Sequence, residues 1–361
     1  MAALIASSLR QERLSSGSAR LRRLPPGQRL LLYMFLSAFI TIVTGNFFAV
    51  GPDETDKRRA DACSVVLVPP FEKRHELLAL TDTLKSVADK PKLKAGVFVV
   101  EPATGRFVSV GADESFAAAS LIKVPVLVKL LAAIDSGDVS IDEQLELRAD
   151  LIGGGSGYLQ WRAVNSTVSL KEAMESMIIF SDNTATNMII DRLGGIDACN
   201  RDFAFWGLKR TYVNDWLPDL PGTNKTSPCD LVSLLAMVDK GDLLSQPSRE
   251  RMFKIMERTR TRTLLPPGLP AGAKISHKTG DIGSLVGDCG IITSPGGKRF
   301  IACVQVQRPH NDRRANEMIR QMSRLIYRSV VDEAPAAVLA AVADEQAKPQ
   351  PRHQRRRHRR G

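Results

Sequence analysis

Three short runs carry the chemistry this sequence can do. Ser120-Leu121-Ile122-Lys123 sets a hydroxyl and an amine three residues apart. On a helix those positions share a face, so the Lys123 amine can reach the Ser120 hydroxyl. A serine opening a helix also sits where free N–H groups and the dipole favour an anion. An amine acts as a base only when its surroundings withhold the proton, and Val124-Pro125-Val126-Leu127-Val128 makes those surroundings apolar. Ser181-Asp182-Asn183 heads the helical pattern SDNTATNMIIDRL, and His277-Lys278-Thr279-Gly280 ends a strand-like run. Singly, each has a plain structural reading: an N-cap serine with a solvated lysine, a helix cap, a strand exit into a turn. In this order, each on the element its chemistry requires, the three together are not a coincidence. Only His75, His277 and His310 fall in the part that folds, so a Ser-His-Asp arrangement has few candidates.

Elements must hold these runs. Phe71–Lys90 reads as an amphipathic helix, with Leu77, Leu78, Leu80, Leu84 and Val87 at helical spacing. Gly96–Glu101 and Arg106–Val110 are strands joined by Pro102-Ala103-Thr104-Gly105. Ser120–Ile134 is a helix in which Pro125 removes a bond and frees the Leu121 carbonyl. Residues 138–265 give mostly helical patterns, notably Leu170–Phe180, Asn183–Leu193 and Asp230–Val238. Strand patterns return at Ala273–His277, Gly287–Ile292 and Arg299–Val306, and Ala315–Val331 is a last helix. Strands from both ends of the chain complete one antiparallel sheet flanked by the terminal helices, and the insert makes a helical lobe. The site then lies where the lobes meet.

Ser-x-x-Lys, Ser-Asp-Asn and Lys-Thr-Gly, in that order, are the motifs of class A β-lactamases and penicillin-binding proteins. Residues 71–331 resemble that family in spacing, element order and the Ser-Asp-Asn form of the middle motif. The resemblance implies an α/β (α+β) fold with a five-stranded antiparallel sheet, terminal helices and an all-helical lobe. It also implies an acyl-serine mechanism. Ser120 is then the nucleophile and Lys123, if neutral, takes its proton. Ser181 relays a proton toward the leaving nitrogen, and Asn183 holds the substrate amide. Lys278 and Thr279, with Gly280 beside them, bind the substrate carboxylate, and the backbone N–H groups of Ser120 and Asp281 form the oxyanion hole. No cofactor or metal is implied.

The resemblance breaks at two places. Class A β-lactamases carry a glutamate that activates the deacylating water. In the matching stretch, Asn214-Asp215-Trp216-Leu217-Pro218-Asp219-Leu220-Pro221-Gly222, Leu217 holds that position and cannot take a proton. Asp219 substitutes only if the loop refolds. The strand position of the usual carboxylate-binding arginine holds Cys289, leaving Arg260 or Arg262 to supply that charge. The departure resembles class-A-like penicillin-binding proteins of the PBP-A type, which implies a D-alanyl-D-alanine peptidase. A β-lactamase with another deacylation route is the alternative, followed by a β-lactam sensor and a silent wall-binding domain.

Lys and Arg total 50 against 39 acidic residues, a net charge of +11, which first suggests nucleic acid. The charge sits at the ends: +5 in residues 1–29, +7 in 346–361 and −1 between. The folded part therefore has no bias toward nucleic acid. Leu30–Val50 is 21 residues without a charge, long enough for a helix to span a bilayer. The arginines before it predict a cytoplasmic basic N-terminus (1–29), an anchor (30–50), a linker (51–70) and an extracytoplasmic, periplasmic hydrolase domain (71–331). A cleaved signal peptide is the rival. Residues 332–361 read as an Ala-rich, then Arg-rich disordered tail. The partners implied are a β-lactam or a peptidoglycan stem peptide, with the membrane through the anchor. The five cysteines include no C-x-x-C pair, so zinc is not suggested. Cys289 and Cys303 either face each other across a hairpin or are two small buried hydrophobes.

Overall fold

The computed structural model describes residues 70–89 and 93–345. The ends described above, including Leu30–Val50 and the arginine run, lie outside them, as does Cys63. Among the described residues no helix is long and apolar enough to cross a membrane.

A six-stranded sheet organises the chain. Its strands are β1 (His75–Glu76), β2 (Lys94–Glu101), β3 (Arg106–Val110), β8 (Lys274–Asp281), β9 (Leu285–Thr293) and β10 (Arg299–Gln307); the short strands β4 (Phe116–Ala117) and β7 (Lys225–Thr226), and β5 (Gln144–Glu146) and β6 (Thr167–Ser169), pair outside it. The six lie in the order β1-β3-β2-β10-β9-β8, antiparallel except that β1 runs parallel to β3. The sheet thus has one short edge strand more than the five expected. That strand also delays the first helix, which is α1 (Leu78–Asp89), not Phe71–Lys90. Main-chain bonding of His75–Glu76 to β3 takes the backbone out of helix, while Phe71 turns in against the Phe98 ring.

The central strands read as apolar runs because both faces are covered. On one face Val99, Ile292, Phe300 and Val304 pack with Leu80 and Leu84 of α1 and with Met318, Ile319 and Met322 of α8 (Arg314–Val330). On the other, Phe98, Cys289, Ile301 and Cys303 meet the helical lobe. That lobe holds α2 (Lys123–Asp135), α3 (Leu170–Ile179), α4 (Asn183–Arg192), α5 (Gly195–Phe205), α6 (Pro228–Lys240) and α7 (Gln246–Glu257). Helix α2 is buried almost all round from Lys123 to Leu131, which makes it the lobe's centre. Pro125 falls in its first turn, where its missing N–H costs nothing. The bond expected to be lost inside a helix is therefore one that a helix start does not make.

The fold continues past residue 331. Helix α9 (Ala336–Glu345) packs on α1 and α8 through Leu339 and Ala343, and Gln321 donates to the Ala343 carbonyl at 2.9 Å. The sequence reading of 332–361 as a disordered tail is corrected for this stretch. An alanine-rich segment is a good helix former, and an apolar stripe of two or three side chains is enough to dock it on larger helices.

Candidate active site

Ser120 lies in a single 3₁₀ turn, Ala119–Ile122, leading into α2. The turn is strained and braced. Ala119 has φ of 47°, a left-handed conformation that costs a residue with a Cβ about 1–2 kcal/mol. The Ala118 amide donates to the Asn224 carbonyl at 2.7 Å, and strand β8 presses on the turn. A Cβ on Gly280 would stand 3.1 Å from Ala119 Cβ and 3.2 Å from the Leu121 nitrogen, so the third residue of Lys-Thr-Gly is what admits this approach.

Lys123 is fully buried. Its Nζ lies 3.0 Å from Ser120 Oγ, 2.7 Å from the Ser181 carbonyl oxygen, 3.1 Å from Ser181 Oγ and 2.8 Å from Asn183 Oδ1. Burial pushes its pKa well down, the Lys278 charge adds to that, and Asp182 opposes it. A neutral amine has two N–H donors and one lone pair. The carbonyl of Ser181 and Oδ1 of Asn183 are pure acceptors and take the two donors, which leaves the lone pair for the Ser120 hydroxyl.

Ser181 bridges the two lysines. Its hydroxyl donates to Ser120 Oγ at 2.8 Å and accepts from Lys278 Nζ at 3.1 Å. Its φ of 58° is again left-handed, and this turns both its carbonyl and its hydroxyl toward Lys123. Asp182 makes that turn affordable. It is the N-cap of α4, accepting from Ala185 N, and it also accepts from the amides of Tyr158 (2.7 Å) and Leu159 (2.9 Å). A side chain at Gly157, φ 93°, would collide with it. The middle residue of Ser-Asp-Asn is thus a clamp for the glycine-rich loop 153–157. Both ends of the Asn183 amide are engaged, Oδ1 with Lys123 and Nδ2 with the Gly154 carbonyl at 2.8 Å.

Lys278 donates to the Thr279 carbonyl at 2.8 Å as well as to Ser181. Burial lowers its pKa to about 7, against the pull of Asp288. Cys289 is its direct partner across the β8–β9 ladder, and Cys303 pairs with Cys289 in turn. Both are buried thiols. Arg262 is exposed and donates to the Glu257 carbonyl at 3.1 Å, at the end of α7; Arg260 is exposed too. No hydrogen bond joins either one to the lysine cluster. A different arginine stands at the edge of β8. Arg308, almost wholly buried, donates to Asp281 Oδ1 (2.6 Å) and to the Gly283 carbonyl (2.9 Å). It holds the turn that follows the Asp281 amide. No sequence pattern marked it.

The 214–224 loop closes the other wall. Asn187, one helical turn after Asn183, donates to the Leu217 carbonyl at 2.7 Å and accepts from the Leu217 amide at 3.0 Å. Gly153 has no Cβ because one would strike that carbonyl. Leu217 is 6% exposed and packs in the lobe's core. Asp219 does not face the cluster: it is buried and accepts from the amides of Thr223 (2.9 Å) and Asn224 (2.7 Å) and from the Thr223 hydroxyl. Among the described residues no group of three or more His, Cys, Asp or Glu could hold a metal ion.

Known proteins are similar to this chain in sequence and fold. The β-lactamase enzyme family matches residues 79–330. A β-lactamase of Streptomyces fradiae is 30% identical over 253 residues, 66% of this chain and 82% of its own. The solved structure of PBP-A is 46% identical with a TM-score of 0.70, covering 73% of this chain and 98% of its own. A PBP-A variant with a leucine replaced by glutamate, an acyl-enzyme with penicillin G, is 47% identical with a TM-score of 0.70, over 72% and 98%. The β-lactamase of Sphaerobacter thermophilus is 26% identical with a TM-score of 0.64, over 72% and 98%.

Proposed function

This chain belongs to the β-lactamase enzyme family and is a serine hydrolase, and we propose that within the family it is a penicillin-binding D-alanyl-D-alanine peptidase acting on peptidoglycan stem peptides. The observations that support the reading are the hydrogen-bonded cluster of Ser120, Lys123, Ser181 and Lys278, and Leu217, held by Asn187, at the position where the motif pattern puts a glutamate.

In this mechanism the Ser120 hydroxyl passes its proton to the Lys123 amine as Oγ adds to the substrate carbonyl. The backbone N–H groups of Ser120 and Asp281 hold the oxyanion. The proton travels through Ser181 to the leaving nitrogen, and Lys278 and Thr279 hold the carboxylate of the terminal residue. Collapse leaves an acyl group on Ser120. A peptide's leaving D-alanine departs and lets water reach the Lys123 side. A β-lactam's leaving nitrogen stays tethered to the acyl group, so its release needs a base from the other wall, and Leu217 is not one. A β-lactamase remains the second reading, favoured by the curated relatives' names. Export through Leu30–Val50, with the hydrolase outside the cytoplasm, belongs to the same proposal and suits a cell-wall substrate.

Intact-mass spectrometry over time after adding benzylpenicillin tests it. The expected result is rapid gain of one penicilloyl group, lost in Ser120→Ala, and its retention for many minutes. Rapid return to the free mass with continued turnover establishes a β-lactamase instead.

A further inference from the structure

The mechanism gives no task to Cys289 and Cys303, which stand opposite each other in the β9–β10 ladder. The two ends of that ladder show what kind of pair they are. At one end the Arg308 amide donates to the Ser284 carbonyl at 2.9 Å, and at the other the Ser294 amide donates to the Lys298 carbonyl at 2.8 Å. Both bonds continue by one step the register of 285–293 on 299–307, which runs without a bulge. Antiparallel ladders alternate hydrogen-bonded with non-hydrogen-bonded pairs. The even-numbered residues of β9 therefore sit in pairs of the first kind, and Cys289 with Cys303 forms one of the second. Such a pair brings its Cα atoms to about 4.5 Å with both side chains on one face. A disulfide needs Cα atoms roughly 4.4–6.8 Å apart. Both side chains are wholly buried on the face that meets the helical lobe.

We propose that Cys289 and Cys303 are a modification site: the pair closes into a cross-strand disulfide, which the sheet accommodates, when the chain folds in the presence of a disulfide oxidant. The thiolate of one cysteine attacks the oxidant's S–S bond and expels one thiolate. The second cysteine's thiolate attacks the mixed disulfide and expels the other. The cysteines give up two protons and two electrons, and the oxidant leaves as two thiols. The closing comes early in folding. Once the lobe covers the pair, burial pushes the Cys303 thiol well up and thiolate is scarce. Strands β9 and β10 are neighbours in sequence, joined by the turn at 294–298, so their pairing needs no other part of the chain. Among the described residues the other cysteines lie outside this ladder, Cys199 on α5 and Cys229 on α6. The staple ties β9 to β10 beside Lys278, which is Cys289's partner on the other side. It stands whether or not the acyl-serine reading does.

The test refolds the full chain from its reduced, denatured state in oxidised and reduced glutathione. The product is alkylated with N-ethylmaleimide under denaturing conditions and digested with trypsin. Lys298 and Arg299 lie between the two cysteines, so cleavage there leaves them joined only through sulfur. The expected result is a linked fragment that holds Cys289 and Cys303 and is lost on adding dithiothreitol. The melting temperature of the oxidised chain should lie about 5–10 °C above that of the reduced one, a difference that Cys303→Ala abolishes. Alkylation or glutathione capping of the two cysteines overturns the proposal, as does linkage of either one to Cys63, Cys199 or Cys229. A linked pair with no rise in melting temperature overturns it too, since the sheet would then not accommodate the bond. The mapping uses the unmodified chain, so it decides even if Cys303→Ala does not fold.

Discussion

Two walls of one site differ in kind. On the β8 side, Lys123, Ser181 and Lys278 form a chain of contacts of 3.1 Å or less that ends on Ser120. On the 214–224 side, a lattice of hydrogen bonds holds Leu217, whose side chain packs in the lobe's core. Asn187 holds both main-chain groups of Leu217, Asp219 ties Thr223 and Asn224, and Asn224 Oδ1 accepts from the amides of Asn214 and Asp215. The loop is therefore not a damaged version of a catalytic one. It is a structured wall whose bonds are made by backbone and by Asn and Asp side chains, none of which depends on what Leu217 carries beyond Cβ. On the proposed reading, capture and release of an acyl group fall to separate regions, so that one can be altered without the other.

The largest break in the comparison comes from the first wall. Lys123→Met is expected to slow acylation by about 10²–10⁴-fold, the range for loss of a general base, read as the rate of penicillin labelling. A fall below ten-fold would give the base role to another group.

Leu217→Glu puts a base on the second wall. Release of a bound penicilloyl group should speed up by at least about ten-fold while its capture changes little. Time-resolved mass spectrometry separates the two, and unchanged release would mean that Leu217 does not face the acyl carbonyl.

Asn187→Ala strips two bonds from the loop without touching the lysines. It should cost about 1–3 kcal/mol in stability, because the Leu217 amide and carbonyl lose buried partners. A denaturant titration reads this, and labelling of Ser120 should persist.

The last effect is on stability alone and leaves the chemistry aside. Lys278 has a folded pKa of about 7, below its ordinary 10.5. Between those values the unfolded chain binds more protons than the folded one, so stability rises with pH across that window, by up to about 1.4 kcal/mol per pH unit for one proton. Lys278→Met should flatten that rise in melts taken from pH 7 to 10. An unchanged slope would place the titration elsewhere.

Much of the acylating wall was legible because its motifs are local. Ser120 and Lys123 are one turn apart, and Ser181, Asp182 and Asn183 are consecutive. Leu217 was legible as a departure from a known pattern. Asn187 was within reach too, since it lies four residues after Asn183 on the same helix face. Arg308 and the buried pairing of His277 with Asp288 were not, because a residue in a strand declares which face it occupies but not which distant charge it will meet. The first helix was placed too early for a similar reason. Leu77 and Leu78 continue its apolar spacing, yet β3 claims the backbone of His75–Glu76.

The sequence by itself determined the candidate reacting groups, their order along the chain, the helices and strands that carry most of them, and that position 217 holds no base. Those follow from residue type and periodicity, which are properties of neighbours. Tertiary structure decided that Lys123 loses its water, that Asp182 and Asp219 serve the fold, that Arg262 turns back to Glu257, and that α9 joins the core. Each depends on what distant segments bring alongside. Burial and pairing, which set both pKa and hydrogen-bond satisfaction, exist only once those segments meet.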